Sequence, residues 1–273
     1  MLRSLLFVPV LSKRFLLKAP NTAADAIILD LEASIPADRK QAARDNLPNA
    51  VAGLKESGKI IASRINPRSD EDLSTALNAG IEHIIIPLVE SVDDLTFLME
   101  PTVCTNSDAT PKYYPIIETP LGLINLTQIL TSNISFGGVM CGVEDFIYRL
   151  GPLAVPEEDV LAPALWQVTI AAKAFSLQAY GIAESLANIK DQSRFRELCI
   201  KARNLGVSGC PAVHPDQVDI INEAFSPTAE QISESEQIIA LFEEQGGNPF
   251  SYKGRMIDLP IILRHKEILK FKK

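Results

Sequence analysis

Short apolar runs recur along the chain, and between them the apolar positions take the spacing of one face of a helix. The runs predict strands at Leu5 to Val8, Ala26 to Leu31, Ile60 to Ile65, His83 to Pro87, Tyr114 to Glu118, Gly138 to Gly142, Leu177 to Ile182 and Gly209 to Val213. Helices are predicted at Lys13 to Ala19, Asp38 to Lys55, Glu71 to Ala79, Val92 to Glu100, Leu121 to Leu130, Glu157 to Phe175, Asp191 to Asn204 and Pro215 to Ala224. Pro36 and Asp38 open the second helix, and Gly80 and Gly206 close two others. The strands are apolar on both faces, as in a parallel sheet covered on both sides. Eight strand and helix units in strict alternation predict an α/β fold, a closed (β/α)8 TIM barrel over residues 1–225. A doubly wound open sheet is the competing architecture, but no Gly-x-Gly-x-x-Gly follows any strand and no P-loop is present.

Beyond residue 226 the pattern changes. Ser226-Pro227-Thr228 starts a helix through Phe242, Gly246-Gly247-Asn248-Pro249 makes a loop, and Ile257 to Leu269 predicts a last helix. Residues 226–273 are thus a C-terminal helical extension, surplus to a barrel and expected to act as a lid or to pack on a neighbouring subunit.

Composition narrows the partners. The formal net charge of -8 over 273 residues, with no basic patch beyond the short tail His265 to Lys273, argues against nucleic acid. Cys104, Cys141, Cys199 and Cys210 form no Cys-x-x-Cys pair and no zinc spacing, which points to reduced thiols and a cytoplasmic protein. The opening apolar segment is broken by Pro9 and followed by Ser12-Lys13-Arg14, so it predicts a buried first strand rather than a signal peptide. No stretch has the ~18 unbroken apolar residues of a membrane span.

In a barrel of this kind chemistry sits where strands run into the following loops. The polar residues fall there: Asp30-Leu31-Glu32 after the second strand, Arg64-Ile65-Asn66-Pro67 after the third, Glu118 after the fifth, Glu144-Asp145 after the sixth and His214-Pro215 after the eighth. Glu118 and Asp145 end neighbouring strands, so their carboxylates can share one Mg²⁺, a cation that takes a couple of carboxylates and fills its shell with water and substrate oxygens. The alternative, open above all for Glu144, is that these acids favour the start of a helix. Arg64 presents a planar fork suited to a carboxylate or an enolate-like oxygen, with a salt bridge to Asp30 or Glu32 alone as its other reading. Asp30 is expected to be a buried structural acceptor, and Glu32 to face the site and order water on the metal. His214 before a proline is more commonly structural than a proton carrier, and His83 and His265 are expected on a helix or the surface.

The motifs Arg3-Ser4-Leu5-Leu6-Phe7-Val8-Pro9, Ile28 to Glu32, Arg64 to Pro67, Ile117-Glu118-Thr119, Gly142 to Asp145, His214-Pro215 with Gln217-Val218, Phe225-Ser226-Pro227 and Gly254 to Asp258 occur in order along the chain. Together they resemble the HpcH/HpaI aldolase/citrate lyase family, in its citrate lyase β-subunit-like branch. The resemblance implies a Mg²⁺-dependent barrel that makes or breaks a carbon–carbon bond beside an acyl-CoA or acyl-carrier-protein thioester of citryl, citramalyl or malyl type. It implies Glu118 and Asp145 as metal ligands, with Glu118 also against the substrate, and Arg64 as the residue that holds the substrate oxygens. It further implies Arg14, Lys18 and His214 near the CoA, Asp258 as an acid/base reaching a neighbouring subunit's site, and a cyclic homo-oligomer, a trimer.

Four positions depart from the family pattern: Val10 where a Gly is usual, Ala33 for an acid, Gly181 for an Asp and Cys210 for a Lys. They leave room for an acyl-CoA thioesterase or condensing enzyme at the same site, or for a non-catalytic subunit. A plain aldolase on a free hydroxy-keto acid would make Arg14 and Lys18 silent.

Overall fold

The computed structural model of the protein describes residues 2–98 and 110–272. By internal packing the chain divides into two units, Met1–Phe225 and Ser226–Lys273.

The first unit runs β1 (Ser4–Pro9), α1 (Lys13–Lys18), β2 (Ala26–Asp30), α2 (Lys40–Leu54), β3 (Ile60–Arg64), α3 (Asp70–Asn78), β4 (His83–Ile86), β5 (Lys112–Ile117), α4 (Pro120–Ile124), α5 (Leu126–Leu130), β6 (Gly138–Cys141), α6 (Glu144–Leu150), α7 (Glu157–Ala174), β7 (Gln178–Tyr180), α8 (Gln192–Asn204), β8 (Cys210–Ala212) and α9 (Pro215–Ala224). Each strand pairs in parallel with the next from β1 to β7, and β8 pairs with β1. The barrel is nearly closed between β7 and β8, where one bridge, Tyr180 with Gly209, is flanked by Ser208 N–H to Ala179 O (2.7 Å) and Gly181 N–H to Gly209 O (3.1 Å).

Side-chain alternation divides two cores. Leu5, Ala26, Ile28, Ala62, Ile85, Tyr114, Ile116, Met140 and Tyr180 fill the barrel, while Leu6, Val8, Ile27, Leu29, Ile84 and Ile86 face the helices. Because both sets are apolar, the strands lack the polar alternation of a half-exposed sheet. Pro9, Asp30 and Arg64 stand side by side in the register of β1, β2 and β3, so the inward row that is apolar lower down becomes charged at the rim.

Differences from the predicted elements are local. The helix expected at 121–130 is interrupted at Asn125, whose side chain donates to Glu90 O (2.9 Å). Of the helix expected at 92–100, Val92–Leu98 is a 3-10 helix and the last two residues lie outside the described residues, as does Cys104. Cys141, Cys199 and Cys210 are buried and free. His83 is not a helix or surface residue: it opens β4, half-buried, with Nδ1 2.9 Å from Tyr114 Oη. Among the described residues no helix is long and apolar enough to cross a membrane.

The second unit contains α10 (Ala229–Glu244), a hairpin of β9 (Phe250–Tyr252) and β10 (Arg255–Ile257), and α11 (Leu259–Leu269). The hairpin is absent from the sequence expectation because its strands are three residues long and its turn is Lys253-Gly254, both at positive φ (48° and 77°), rather than the commoner Asn-Gly. Helix α11 begins at Leu259, not Ile257, because Asp258 caps it by accepting from Ile261 N–H (3.4 Å).

Candidate active site

At the C-terminal rim of the barrel the inward row opens into a cavity of about 550 Å³. Arg64, Glu32, Glu118 and Asp145 all line it, so four of the residues singled out from the sequence meet at one place.

Arg64 is fixed before any ligand arrives. Its Nε donates to Asp30 Oδ1 (2.7 Å) and its Nη2 to Asp30 Oδ2 (2.9 Å), while Nη1 lies 3.2 Å from Glu32 Oε2. The guanidinium also lies over the Phe7 ring, 4.5 Å from its centroid. Asp30 is 1% exposed and accepts in addition from the Glu32 N–H (3.1 Å) and the Ser34 N–H (2.9 Å). Burial alone would push the Asp30 carboxyl up; the hydrogen bonds and charge of Arg64 outweigh it and hold Asp30 below the usual carboxylate range. The salt-bridge reading of Arg64 therefore accounts for three of the five guanidinium N–H bonds, two toward Asp30 and one toward Glu32, and two remain for a ligand.

Glu118 has the opposite environment. It is 8% exposed, and burial, with the charge of Asp145 adding to it, pushes its carboxyl up to about 7 against the lowering effect of Leu88 N–H, which donates to Oε1 at 2.7 Å. Leu88 reaches this position with φ at +55°, a left-handed conformation that costs a bulky residue about 1–3 kcal/mol. Gly142 completes the seat: a Cβ there would lie 2.5 Å from both Cβ and Oε2 of Glu118. Gly142→Ala is accordingly expected to displace Glu118, to cost about 1–3 kcal/mol of stability through overpacking and to weaken divalent-cation binding by about 10–100-fold, as read by urea unfolding and calorimetric titration.

Asp145 and Glu144 form the first turn of α6, a helix that the sequence reading missed because it is seven residues long and stops at Gly151-Pro152. Both are exposed, neither caps the helix, and Glu144 instead accepts from the Ser185 hydroxyl. Among the described residues no three His, Cys, Asp or Glu side chains converge as a ready metal cage. Two carboxylates, one buried with a single donor and one open, fit a hard cation that keeps most of its shell for water and ligand.

The loops that carry these groups are tied to one another. Asn66 Nδ2 donates to Leu31 O (3.0 Å), the Lys40 ammonium to Leu31 O (2.9 Å) and Glu32 O (2.7 Å), and Gln217 Nε2 to Leu186 O (2.9 Å). Such ties hold a site within the small tolerances that chemistry needs.

Other expected site residues lie elsewhere. Arg14 and Lys18 are exposed on α1 and do not line the cavity. His214 caps α9, its Nδ1 accepting from Asp216 N–H (3.2 Å) in a capping box with Gln217. Asp258 belongs to the second unit. Of the four departures, Ala33 and Gly181 line the cavity, and Gly181 has φ +144° with Cys141 O 3.0 Å from where a Cβ would stand. Val10 and Cys210 do not: both are fully buried in the core that faces the helices, Val10 just beyond the end of β1 and Cys210 in β8. Leu88, Gly142 and Phe7 were not legible as functional, since each acts through backbone or shape rather than through a reactive group.

The family model of HpcH/HpaI aldolase/citrate lyase matches residues 3–215. Citrate lyase subunit beta of Haemophilus influenzae is 29% identical over 98% of this chain and 96% of its own. The (3S)-malyl-CoA thioesterase of Cereibacter sphaeroides is 31% identical over 89% of this chain and 83% of its own. A solved structure, the citrate lyase beta subunit of Mycobacterium tuberculosis complexed with oxaloacetate and magnesium, superposes with a TM-score of 0.69 at 25% identity, covering 82% of this chain and 96% of that one.

Proposed function

The chain belongs to the HpcH/HpaI aldolase/citrate lyase family, and from that premise we infer that it is a Mg²⁺-dependent carbon–carbon lyase that cleaves a short 3-hydroxyacyl thioester of citryl, citramalyl or malyl type into a keto acid and a shorter acyl thioester. The observation that carries the reading is the pairing of Arg64, clamped by Asp30 with two donors to spare, with the carboxylates Glu118 and Asp145 in one cavity.

Glu118 and Asp145 would hold the cation, which supplies Lewis-acid polarisation of the substrate oxygens when bound. The remaining work falls to the chain. The spare N–H bonds of Arg64 bind the substrate's carboxylate and hydroxyl end and offset negative charge as the bond breaks. The hydroxyl proton passes to a base, for which Glu32 beside Arg64 is at hand, directly or through a water that it orders. The bond between the carbinol carbon and the thioester α-carbon breaks, its electron pair becomes the thioester enolate, and one proton delivered to the α-carbon completes the balance.

Asp258 of a neighbouring copy is the proposed proton donor, which requires a closed homo-oligomer, a trimer in this reading. Equal mixing of Asp258→Ala and Asp145→Ala chains, each inactive alone, is expected to restore about a quarter of the sites in a randomly assorted ring. Mixed oligomers with no recovered turnover would remove Asp258 from that role. Arg14 and Lys18, one turn apart on α1, and His214 at the start of α9 are proposed to meet the phosphates of a CoA or carrier-protein thioester. A reducing compartment, the cytoplasm, suits the buried free thiols.

The test is an assay with Mg²⁺ and the three thioesters, following keto acid and free thiol separately, with EDTA and Asp145→Ala as controls. Keto acid release abolished by both supports the lyase; release that survives chelation refutes it. Thiol without keto acid would select the thioesterase reading, which the 31% identity to a malyl-CoA thioesterase favours as the second possibility.

A further inference from the structure

We propose that the cavity selects thioesters whose carbinol carbon bears, beside its one carboxylate, hydrogen or a small alkyl group, and rejects those that bear a carboxymethyl group there, which brings a second carboxylate into the cavity. This rests on the lyase reading and narrows it to citramalyl- and malyl-type substrates over citryl-type ones.

The first argument is charge. Among the described residues that line the cavity, Arg64 is the one cation, against the five carboxylates Asp30, Glu32, Glu118, Glu144 and Asp145. Five negative charges and one positive give a formal -4, and a divalent cation brings that only to -2. Arg64 has already committed Nε and one Nη2 bond to Asp30 and faces Glu32 through Nη1. Its two remaining N–H bonds can serve one carboxylate, the one next to the reacting carbon. The Lys40 ammonium, from the first residue of α2, is held by the carbonyls of Leu31 and Glu32 and does not line the cavity.

The second argument is the rest of the wall. Ile116, Met140, Ile182, Leu186 and Val213 present hydrocarbon, and the neutral side-chain donors are the Ser34 hydroxyl and the Cys141 thiol. A second carboxylate placed there would leave water for apolar surface and like charge, with the N–H bonds of Arg64 already given to the first carboxylate, a costly kind of burial. A hydrogen or a methyl group gives up nothing, and the methyl gains contact. Ala33 and Gly181, which stand where the family pattern has acids, add neither a donor nor bulk to the lining.

The experiment uses the Mg²⁺-loaded full chain. Turnover of citramalyl-, malyl- and citryl-CoA is compared, and pyruvate, glyoxylate and oxaloacetate are titrated by calorimetry as free keto acids, which needs no thioester carrier. The expected result is kcat/KM lower for citryl-CoA by about 100-fold or more than for the better of the other two, with oxaloacetate the weakest of the keto acids by at least about tenfold. Val213→Lys, which adds a cation at the half-exposed mouth, is expected to narrow the citryl deficit by about tenfold or more. Citryl-CoA turned over as well as the others, or oxaloacetate bound as tightly as pyruvate, overturns the selectivity and leaves the lyase reading standing. Keto acids bound in the expected order with no thioester cleaved overturns the lyase reading instead.

Discussion

Glu118→Gln is expected to raise the stability of the metal-free protein at pH 8 by up to about 3 kcal/mol while abolishing turnover. Burial, with the charge of Asp145 in support, pushes the Glu118 carboxyl from 4.5 to about 7, despite the opposing Leu88 N–H. Between those two values the folded protein binds a proton that the unfolded chain has released, so stability falls as pH rises across that window. The full loss, about 2.5 units at 1.36 kcal/mol each, is reached once pH exceeds the folded value. Gln removes the charge and keeps an oxygen for Leu88 N–H, so its advantage should be absent near pH 4 and largest at pH 8. Urea unfolding at the two pH values without metal reads this directly. In the wild type a bound cation relieves the same penalty by displacing the proton, so Mg²⁺ affinity should fall by about tenfold per unit as pH drops below 7. A Gln variant less stable than wild type at pH 8, or Mg²⁺ affinity flat from pH 6 to 8, would show that Glu118 is not the strained ligand described above.

Arg64→Ala is expected to damage both halves of the protein's chemistry. It strands Asp30, 1% exposed, without its counter-ion, and such a loss costs about 3–5 kcal/mol. In the wild type the Asp30 carboxyl is held low by Arg64 against the effect of burial, so the stability it contributes is present above the unfolded carboxylate value and is lost as pH falls through the folded one. In the variant burial is opposed only by the backbone donors and the Ser34 side chain. The destabilisation should therefore be largest at neutral pH and shrink on acidification. Turnover should fall by about 10²–10³ or more, because the preorganised donor for developing charge has gone. Arg64→Lys keeps the charge but cannot span two Asp30 oxygens and still face a ligand, so it should recover more stability than activity. Pairing Asp30→Asn with Arg64→Met separates the two roles: stability should return in large part and turnover should not. Wild-type kcat in Arg64→Ala would remove Arg64 from catalysis.

Much of this was legible in the chain. Each of the eight strands lies within about two residues of its expected place, because a strand buried on both faces must be a continuous apolar run and Gly, Pro and Asn punctuate the gaps. The rim residues Glu32, Arg64, Glu118 and Asp145 stood out for the same reason, as charges at the ends of such runs. The short elements were not legible: α6 and the β9–β10 hairpin have too few residues to show a period.

The sequence by itself therefore determined where the barrel strands and the longer helices form, that the sheet is parallel and wrapped, and which charged side chains gather at its rim. Those properties follow from local periodicity and from the cost of burying polar groups. Only the tertiary structure decided which way each side chain points and what it meets there. Val10 and Cys210 turn to the helices while Ala33 and Gly181 turn to the cavity. Asp30 and Arg64 are 34 residues apart in the chain and opposite each other in the register, so one becomes a firm anion and the other a fixed fork. Glu118 takes its raised proton affinity from burial and from the charge of Asp145, against the Leu88 N–H, and neither residue is its neighbour in the chain. Such properties are set by distance through space, and proximity of that kind does not exist until the barrel has closed.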